Sequence, residues 1–277
     1  MNGDALKTRI RNLSKEINIP PHLLMQNYFL ERFLYRISIS NYCDNFILKG
    51  GLLISSLIGV KNRTTMDIDT SLNKVNISET RVIEMIKEII KINTDDNITY
   101  KLCDIKEIRK TDDYYRFRIR LDVKLEKMKQ KIGIDISTAD IITPRNIDYL
   151  YNSLLSDIVI KINTYNLETI LSEKIETIIT RGELNTRMRD FYDVYMLWKL
   201  KKEEIDFDIL KRAVKNTFSN RKTLDLLDLR DDILDGIDES YSLKELWSRY
   251  TNKNKYANVI GFNDTIICLN EIFDEIF

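Results

Sequence analysis

The sequence predicts an α+β protein with two lobes, in which a core built on a mixed sheet is followed by a helical lobe. Apolar and polar residues alternate over 115–125 and again over 132–137, which is the period of half-buried strands. From residue 167 onward, apolar residues recur every three or four positions, as in amphipathic helices. The change of pattern predicts a core domain over 1–162, which includes N-terminal helices, and a helical lobe over 163–277.

Each lobe can be divided into elements from its periodicity and its end signals. The first lobe is predicted to contain helices at 4–17, 22–40, 52–58 and 78–92, and strands at 66–72, 115–125, 132–137 and 157–162. The short apolar run 46–48 is compatible with a strand or with a helix end. The second lobe is predicted to contain helices at 167–181, 187–199, 207–218, 224–234, 243–250 and 264–277.

Composition excludes several classes of protein. The 277 residues carry 43 basic and 43 acidic side chains, so no overall field attracts a polyanion. The exception is the segment between Lys101 and Lys131, where eleven bases outnumber six acids. The single histidine, His22, argues against a Ser-His-Asp triad and an HExxH zinc site. We expect any contact with a nucleic acid to begin in the basic segment.

Cysteine usage and hydropathy bear on the compartment. The three cysteines are odd in number and lack the spacing of metal sites, which favours reduced thiols in the cytoplasm. The N-terminus does not resemble a signal peptide, and no segment has the apolar length of a membrane span. We therefore expect a cytoplasmic protein without membrane contact, and a monomer.

Two aspartates, Asp67 and Asp69, are separated by one residue on a predicted strand. Residues i and i+2 of a strand face the same side, so the two carboxylates lie next to each other. A divalent cation such as Mg²⁺ would relieve their repulsion and use substrate phosphates to complete its shell. A carboxylate from a neighbouring strand, with Asp135 as the candidate, could join them in a two-metal site. The polar face of an edge strand is an alternative explanation.

A glycine pair, Gly50-Gly51, precedes the predicted helix 52–58. Glycines allow backbone N–H groups to approach an anion closely, and a helix N-terminus adds favourable partial charge. The pair could hold triphosphate oxygens, with Lys49, Arg63 and the threonines at 64 and 65 nearby. A simple tight turn is equally compatible with this stretch.

Two downstream helices carry further candidate residues. Lys174 could bind phosphate, although a lysine between glutamates on a helix surface is ordinarily solvated. Asp190 and Asp193 are three residues apart on the next helix and can act together. An ion pair on the surface between Arg189 and Asp193 is the alternative.

The order and spacing of these motifs resemble the AbiEii toxin family. The shared motifs are Lys-Gly-Gly at 49–51, Arg-x-Thr-x-Asp-x-Asp at 63–69, a later strand aspartate at 135, Glu-x-x-x-x-Glu-Lys at 168–174, and Arg-Asp-x-Tyr-Asp at 189–193. The resemblance extends from about residue 46 to about residue 198. AbiEii proteins are nucleotidyltransferases of the DNA polymerase β superfamily, found in abortive-infection and toxin–antitoxin systems. The resemblance thus implies a polymerase-β-like nucleotidyltransferase core.

The resemblance also implies a role for each matching residue. Asp67 and Asp69 would hold catalytic Mg²⁺, with Asp135 as a third metal ligand. The nucleotide-binding residues would be Gly50, Gly51, Arg63, Thr65 and Lys174. Asp193 or Asp190 would be the essential acid of the later helix. The superfamily usually has Gly-Ser where this chain has Gly50-Gly51, so Thr65 is the candidate to replace the serine.

The implied reaction is transfer of a nucleoside monophosphate from an NTP to an acceptor, with the 3′ end of tRNA as the acceptor and phage defence as the context. Arg116, Arg118 and Arg120 lie on one strand face and could contact RNA phosphates, with a solvated edge strand as the alternative. The antitoxin would be encoded separately, and a stable complex with it is not required. Two alternatives stay open, namely transfer to a protein hydroxyl and a non-catalytic nucleotide-binding protein that sequesters a partner.

Overall fold

A computed structural model describes residues 2–73, 78–111 and 114–277, with backbone only for residues 109–111 and 114. Within the predicted basic segment, Asp112, Asp113 and the side chains of Arg109 and Lys110 therefore lie outside the described residues. The described chain divides into two compact units, one made of residues 1–140 and 147–164 and the other of 141–146 and 165–277. Among the described residues, no helix is long and apolar enough to cross a membrane.

The first unit contains a seven-stranded mixed sheet with the order β3-β4-β5-β2-β1-β7-β6. The strands are β1 (Phe46–Lys49), β2 (Asp67–Leu72), β3 (Ile98–Thr111), β4 (Tyr114–Leu125), β5 (Met128–Thr138), β6 (Ile147–Asn152) and β7 (Val159–Thr164). The β1–β7 and β2–β5 pairs are parallel and the other neighbours are antiparallel. The short apolar run at 46–48 is thus a strand.

The predicted alternation of β4 holds in the structure. Phe117, Ile119 and Leu121 are fully buried, whereas the arginines between them face the opposite side of the sheet. The edge-strand alternative is wrong, because β4 lies between β3 and β5, and β2 lies between β5 and β1. The arginines on the polar face of β4 are partly exposed and have carboxylate partners on the neighbouring strands, which are described below.

Two strands, β3 and β6, have no counterpart among the predicted elements. In β3 the register against β4 shifts between Leu102 and Asp104 and again between Glu107 and Arg109, which interrupts the two-residue period. The edge strand β6 buries only Tyr151 deeply, and its apolar residues Ile147 and Leu150 are exposed, so they do not mark one buried face. Neither strand therefore shows the regular two-residue period from which a strand is predicted.

Four helices complete the first unit: α1 (Gly3–Ile17), α2 (Pro21–Ser38), α3 (Gly50–Ile58) and α4 (Glu79–Ile89). The Asn2 side chain caps α1, and Pro21 begins α2, where its missing N–H has no helical partner to lose. Ser78 caps α4, because its hydroxyl accepts a hydrogen bond from the Arg81 N–H at 3.1 Å. Gly59, with φ of 90°, ends α3.

The second unit is helical, and with the mixed sheet it confirms the α+β class. Its helices are α5 (Leu167–Arg181), α6 (Met188–Lys201), α7 (Phe207–Asn220), α8 (Arg230–Glu239), α9 (Tyr241–Lys253) and α10 (Phe262–Ile276). Tyr192, Trp198 and Phe218 lie in its core, each at most 1% exposed. The helix predicted at 224–234 begins and ends later, as α8, because Leu224–Leu227 form a separate 3-10 turn.

Residues 141–146 belong to the helical unit, which the predicted division at 162/163 does not anticipate. The Asn166 amide donates to the carbonyl oxygen of Thr143 at 2.7 Å, and the Thr143 N–H donates to the Thr169 hydroxyl at 3.1 Å. Asn216 donates to the Thr143 hydroxyl at 3.0 Å. These hydrogen bonds tie the segment to α5 and α7, and such tertiary contacts leave no mark in composition.

Candidate active site

Asp67 and Asp69 lie on the same face of β2. Ile68 between them is fully buried on the other face, whereas Asp67 is exposed and Asp69 half-buried. Because β2 is an interior strand, the two carboxylates are flanked by β1 on one side and β5 on the other. The predicted pair is therefore presented at the middle of the sheet.

Four charged residues form a row across four neighbouring strands at the level of Asp69. The β-sheet register pairs Lys49 on β1 with Asp69 on β2, Asp69 with Asp135 on β5, and Asp135 with Arg118 on β4. Directly opposed residues on one face have Cβ atoms about 5 Å apart, so each charge lies beside the next. The charge sequence is positive, negative, negative, positive, so the two cationic ends offset the central carboxylates. We call these four residues the charged row.

Asp135 is held by two arginines of β4. Its Oδ1 accepts from Arg118 Nε at 2.8 Å, and its Oδ2 accepts from Arg118 Nη2 at 2.6 Å and from Arg116 Nη2 at 3.0 Å. Burial would raise the pKa of Asp135, but the hydrogen bonds and charges of Arg118 and Arg116 outweigh burial and lower this pKa. Asp135 is thereby kept ionised with both oxygens engaged.

The predicted metal site comprises Asp67, Asp69 and Asp135. Within the residues that the structure describes, no three His, Cys, Asp or Glu side chains are grouped closely enough to hold a metal ion together. The metal-ligand role of Asp135 therefore stays a prediction. Its observed contacts are those of an anchor for the two guanidinium groups.

The glycine pair packs directly against Asp69. Gly50 has φ of 65°, and a Cβ atom there would lie 2.2 Å from Asp69 Oδ2. The Gly51 N–H donates a long hydrogen bond of 3.4 Å to the same oxygen. The pair thus joins β1 to α3 through a left-handed residue and brings the helix N-terminus to the carboxylate.

Thr65 and Arg63 lie beside this connection. A Cβ atom on Gly51 would approach Thr65 Oγ1 to 2.6 Å, so only glycine fits here without displacing the threonine. The Thr65 hydroxyl donates to the carbonyl oxygen of Asp67 at 3.3 Å. Arg63 is buried, and its guanidinium donates to the carbonyl oxygen of Thr64. Both residues support the backbone around Asp67, and their contacts with a nucleotide stay predictions.

Sequence reasoning missed two residues at this site. Gly133 on β5 is the register partner of Asp67, and a Cβ atom there would lie 2.2 Å from Asp67 Oδ1. The second missed residue is Asp140, whose Oδ2 lies 2.7 Å from Lys49 Nζ. The Lys49 charge lowers the pKa of Asp140, although burial acts in the opposite direction. A glycine inside an alternating strand was a signal for the first, whereas the sequence holds no comparable signal for Asp140.

In the helical unit, Lys174 of α5 lies between Asp190 and Asp193 of α6. Lys174 Nζ is 2.8 Å from Asp190 Oδ1 and 2.7 Å from Asp193 Oδ2. The Asp193 side chain is 0% exposed and that of Lys174 14% exposed. The alternative of a solvated lysine is therefore wrong. The alternative of a surface pair with Arg189 is also wrong, because Asp193 is buried and bound to Lys174.

In this buried triad, the pKa shifts of Lys174 and Asp190 favour the charged form of both groups. Burial alone would lower the pKa of Lys174, but the charges of Asp190 and Asp193 raise it. Burial would raise the pKa of Asp190, but Lys174 and Arg187 outweigh burial and lower this pKa to about 2. Arg187 Nε reaches Asp190 Oδ2 at 2.6 Å. Lys174 is therefore an ammonium group held in one position by two carboxylates.

The family profile described as nucleotidyl transferase AbiEii toxin of the type IV toxin–antitoxin systems matches residues 32–259. The chain belongs to the AbiEii family. The match includes both the charged row and the buried triad, and it extends beyond the region 46–198 on which the resemblance was based. The expected family is confirmed, and with it membership of a nucleotidyltransferase family that operates with an antitoxin.

The AbiEii chain shares its fold with a solved structure from Helicobacter pylori. A Helicobacter pylori protein described provisionally as a nucleotidyltransferase is 18% identical, with a TM-score of 0.51, over 93% of this chain and 97% of its own. JHP933 from Helicobacter pylori is also 18% identical, with a TM-score of 0.49, over 91% of this chain and 93% of its own. No curated protein matches this sequence significantly.

Proposed function

We propose that this AbiEii protein is an Mg²⁺-dependent toxin that transfers a nucleoside monophosphate from an NTP to the 3′ end of an RNA, with tRNA as the acceptor class. The observation that carries the proposal is the convergence of Asp67 and Asp69 on one face of β2, directly beside the glycine pair that begins α3. Paired carboxylates next to backbone donors at a helix N-terminus are what a metal–triphosphate complex requires. The separately encoded antitoxin need not form a stable complex with the toxin.

The residues at the sheet fit a magnesium ion. Asp67 and Asp69 offer carboxylate oxygens, the ligand type that Mg²⁺ prefers, and Gly133 and Gly50 leave the space that these side chains occupy. Asp67 and Asp69 would hold the ion. When bound, Mg²⁺ would polarise the α-phosphate and lower the pKa of the acceptor hydroxyl.

The chain's own groups supply the other requirements of nucleotidyl transfer. The N–H groups at Gly50 and Gly51 and the Thr65 hydroxyl are the proposed donors to triphosphate oxygens. Lys174 is the proposed phosphate-binding cation, and its raised pKa keeps it protonated for this role. Asp193 and Asp190 position Lys174. Arg118, held by Asp135, keeps positive charge next to the carboxylates of β2.

The direct test is to sequence RNA 3′ ends after expression of the toxin. One added nucleotide on a defined class of RNA would identify donor and acceptor together. In vitro, each labelled NTP is incubated with the protein and either total RNA or total protein. Label in RNA supports the proposal, whereas label in protein alone would establish the protein-hydroxyl alternative instead.

The Asp67→Asn variant separates catalysis from sequestration. This substitution keeps the size of the side chain but removes the charge that would bind the metal. We expect the folded variant to lose both label transfer and toxicity. A folded Asp67→Asn protein that stays fully toxic would show that toxicity does not depend on transfer, and it would overturn the proposed function.

A further inference from the structure

A cleft of about 620 Å³ lies in the helical unit, between the first turn of α6 and one face of α9. From α9 it is lined by Leu246, Arg249, Tyr250 and Lys253, which follow Leu246 by three, four and seven residues and therefore lie on the same side of the helix. From α6 it is lined by Arg189, and from the residue that precedes this helix by Arg187. We call it the α6–α9 cleft.

The α6–α9 cleft is strongly basic, whereas the whole chain has a formal net charge of zero. Its lining includes four basic side chains and one acidic side chain, Asp190, whose charge is already matched by Lys174 and Arg187. Arg249 pairs with Glu245 at 3.2 Å, but its side chain is 72% exposed, so this pair contributes little. The excess of positive charge predicts an anionic ligand.

The wall of the cleft is rigid. Tyr250 packs against Tyr192 of α6 with ring centroids 6.1 Å apart and against Trp247 at 5.5 Å. Tyr192 is fully buried, and its contact with Tyr250 joins α6 to α9, whereas the contact between Trp247 and Tyr250 lies within α9. The basic side chains are therefore presented from a fixed backbone with an aromatic ring between them, a combination typical of surfaces that bind single-stranded nucleic acid.

The arginines of β4, from which RNA contact was expected, are engaged within the sheet. Arg116 and Arg118 bind Asp135, and Arg120 Nε lies 3.2 Å from Asp104 Oδ1. Each of the three therefore has a carboxylate partner on a neighbouring strand. β4 and the α6–α9 cleft each have four basic side chains and one acidic side chain, but in the cleft the carboxylate contacts are those of Arg187 with Asp190 and of the largely exposed Arg249 with Glu245.

We propose that the α6–α9 cleft binds backbone phosphates of the acceptor RNA. This inference rests on the proposed function, because it assigns the binding surface for that acceptor. Arg249 and Lys253 on α9, together with Arg189 on α6, contact the phosphates and carry no part of the chemistry. The contacts are independent of base sequence, as electrostatic contacts to the backbone are.

The test compares two double variants that remove the same charge. Arg249→Ala/Lys253→Ala removes two cations from the cleft, and Arg212→Ala/Lys244→Ala removes two exposed cations of the same unit that do not line it. Fluorescence anisotropy measures binding of a labelled RNA hairpin with a single-stranded 3′ end, without NTP and with EDTA. A thermal melt verifies that each variant is folded.

We expect the cleft variant to bind the hairpin about tenfold more weakly at low salt, and its slope of log K against log salt to fall by about 1.4, the value for two lost phosphate contacts. The control variant and the charge-preserving Arg249→Lys/Lys253→Arg variant should bind like the wild type. Affinity for a labelled NTP, measured separately, should not change.

Equal RNA binding by the two alanine variants would overturn the inference. A cleft variant that loses NTP affinity but keeps RNA affinity would assign the cleft to the triphosphate and would also overturn it. Since binding is measured without turnover, these outcomes are independent of the proposed function. A protein that binds RNA through the cleft but labels only protein would contradict the proposed function alone.

Discussion

Gly133 occupies a position where any side chain would enter the space of the Asp67 carboxylate. We predict that Gly133→Ala reduces nucleotidyl transfer at least tenfold, because a Cβ atom 2.2 Å from Oδ1 must displace Asp67. Asp67 is exposed and can rotate away, so the melting temperature should change by only a few degrees. Labelled transfer and a thermal melt measure the two effects.

Gly236→Ala on α8 is the matched control for Gly133→Ala. The nearest atom to a Cβ atom there is the end of the Glu183 side chain at 3.2 Å, which can move. Full activity of Gly133→Ala, or the same loss of activity in both variants, would contradict the close packing of Gly133 and Asp67.

Lys174 of α5 supplies the ammonium group that binds both carboxylates of α6, Asp190 and Asp193. Lys174→Met leaves Asp193 buried without this partner, and we expect the free energy of unfolding at pH 7 to fall by about 3–5 kcal/mol. The double variant Lys174→Met/Asp193→Asn should recover most of this loss, because Asp190 still has Arg187. Urea denaturation measures both, and purely additive losses would argue against the triad.

The same triad predicts a dependence on pH. The pKa of Asp190 is lowered to about 2 because Lys174 and Arg187 outweigh its burial. A lowered pKa in the folded state stabilises the fold above the ordinary pKa, near 4, and this contribution is lost as pH falls towards 2. The difference in stability between the wild type and Lys174→Met should therefore shrink over that interval.

At the scale of elements, Glu31 ties α2 to the turn that follows β6. The carboxylate accepts hydrogen bonds from Asn27, Tyr151, Ser153 and the Leu154 N–H, all within the first unit. Burial raises the pKa of Glu31 to about 7, and the four hydrogen bonds only partly oppose this shift. The folded protein thus binds a proton at Glu31 that the unfolded chain has already released near pH 5.

Because the pKa of Glu31 is raised in the folded protein, its protonated carboxyl group stabilises the fold at low pH. The contribution is complete below about pH 4.5 and is lost as pH rises through 7, a change of about 3 kcal/mol. Glu31→Gln cannot ionise, so the wild type should lose stability relative to this variant between pH 5 and 8. Parallel urea curves at each pH measure the difference, and a constant difference would contradict the shift.

The elements also show where sequence reasoning succeeds and where it fails. The two-residue period revealed β4 and β5 because one face of each is buried without interruption. Bulges hid β3, and the exposed edge position hid β6.

For the site residues, the spacing of Asp67 and Asp69 placed both side chains on one face. Their partners Gly133, Lys49 and Arg118 depend on strand register, however. The position of Lys174 depends on packing of α5 against α6. Neither register nor packing can be derived from local spacing.

At the scale of the whole molecule, the chain leaves the first unit at residue 140, returns at 147 and leaves again at 164. Asn166 connects the excursion to the second unit, since it caps α5 through the Thr169 N–H at 2.8 Å and donates to the carbonyl oxygen of Thr143. We predict that Asn166→Ala lowers the free energy of unfolding by about 2–4 kcal/mol, because a cap and buried hydrogen bonds are both lost.

Asp206→Ala provides the comparison for Asn166→Ala. Asp206 also caps a helix, accepting from the Ile209 N–H at 3.0 Å, but its contact is exposed. We expect a loss of about 1 kcal/mol for this variant in the same urea titration. Equal losses would mean that the hydrogen bonds to residues 141–146 contribute nothing beyond capping.

The charged row makes enzymatic activity a reporter of strand alignment. Its four members come from four strands, and each is adjacent to the next only in the observed register. A slip of one residue in any of these strands would turn that strand's charged side chain to the opposite face. The amount of β-structure, and hence the far-ultraviolet circular dichroism spectrum, would hardly change. A change of register in this sheet should therefore abolish the activity of the toxin under conditions in which the protein is still folded.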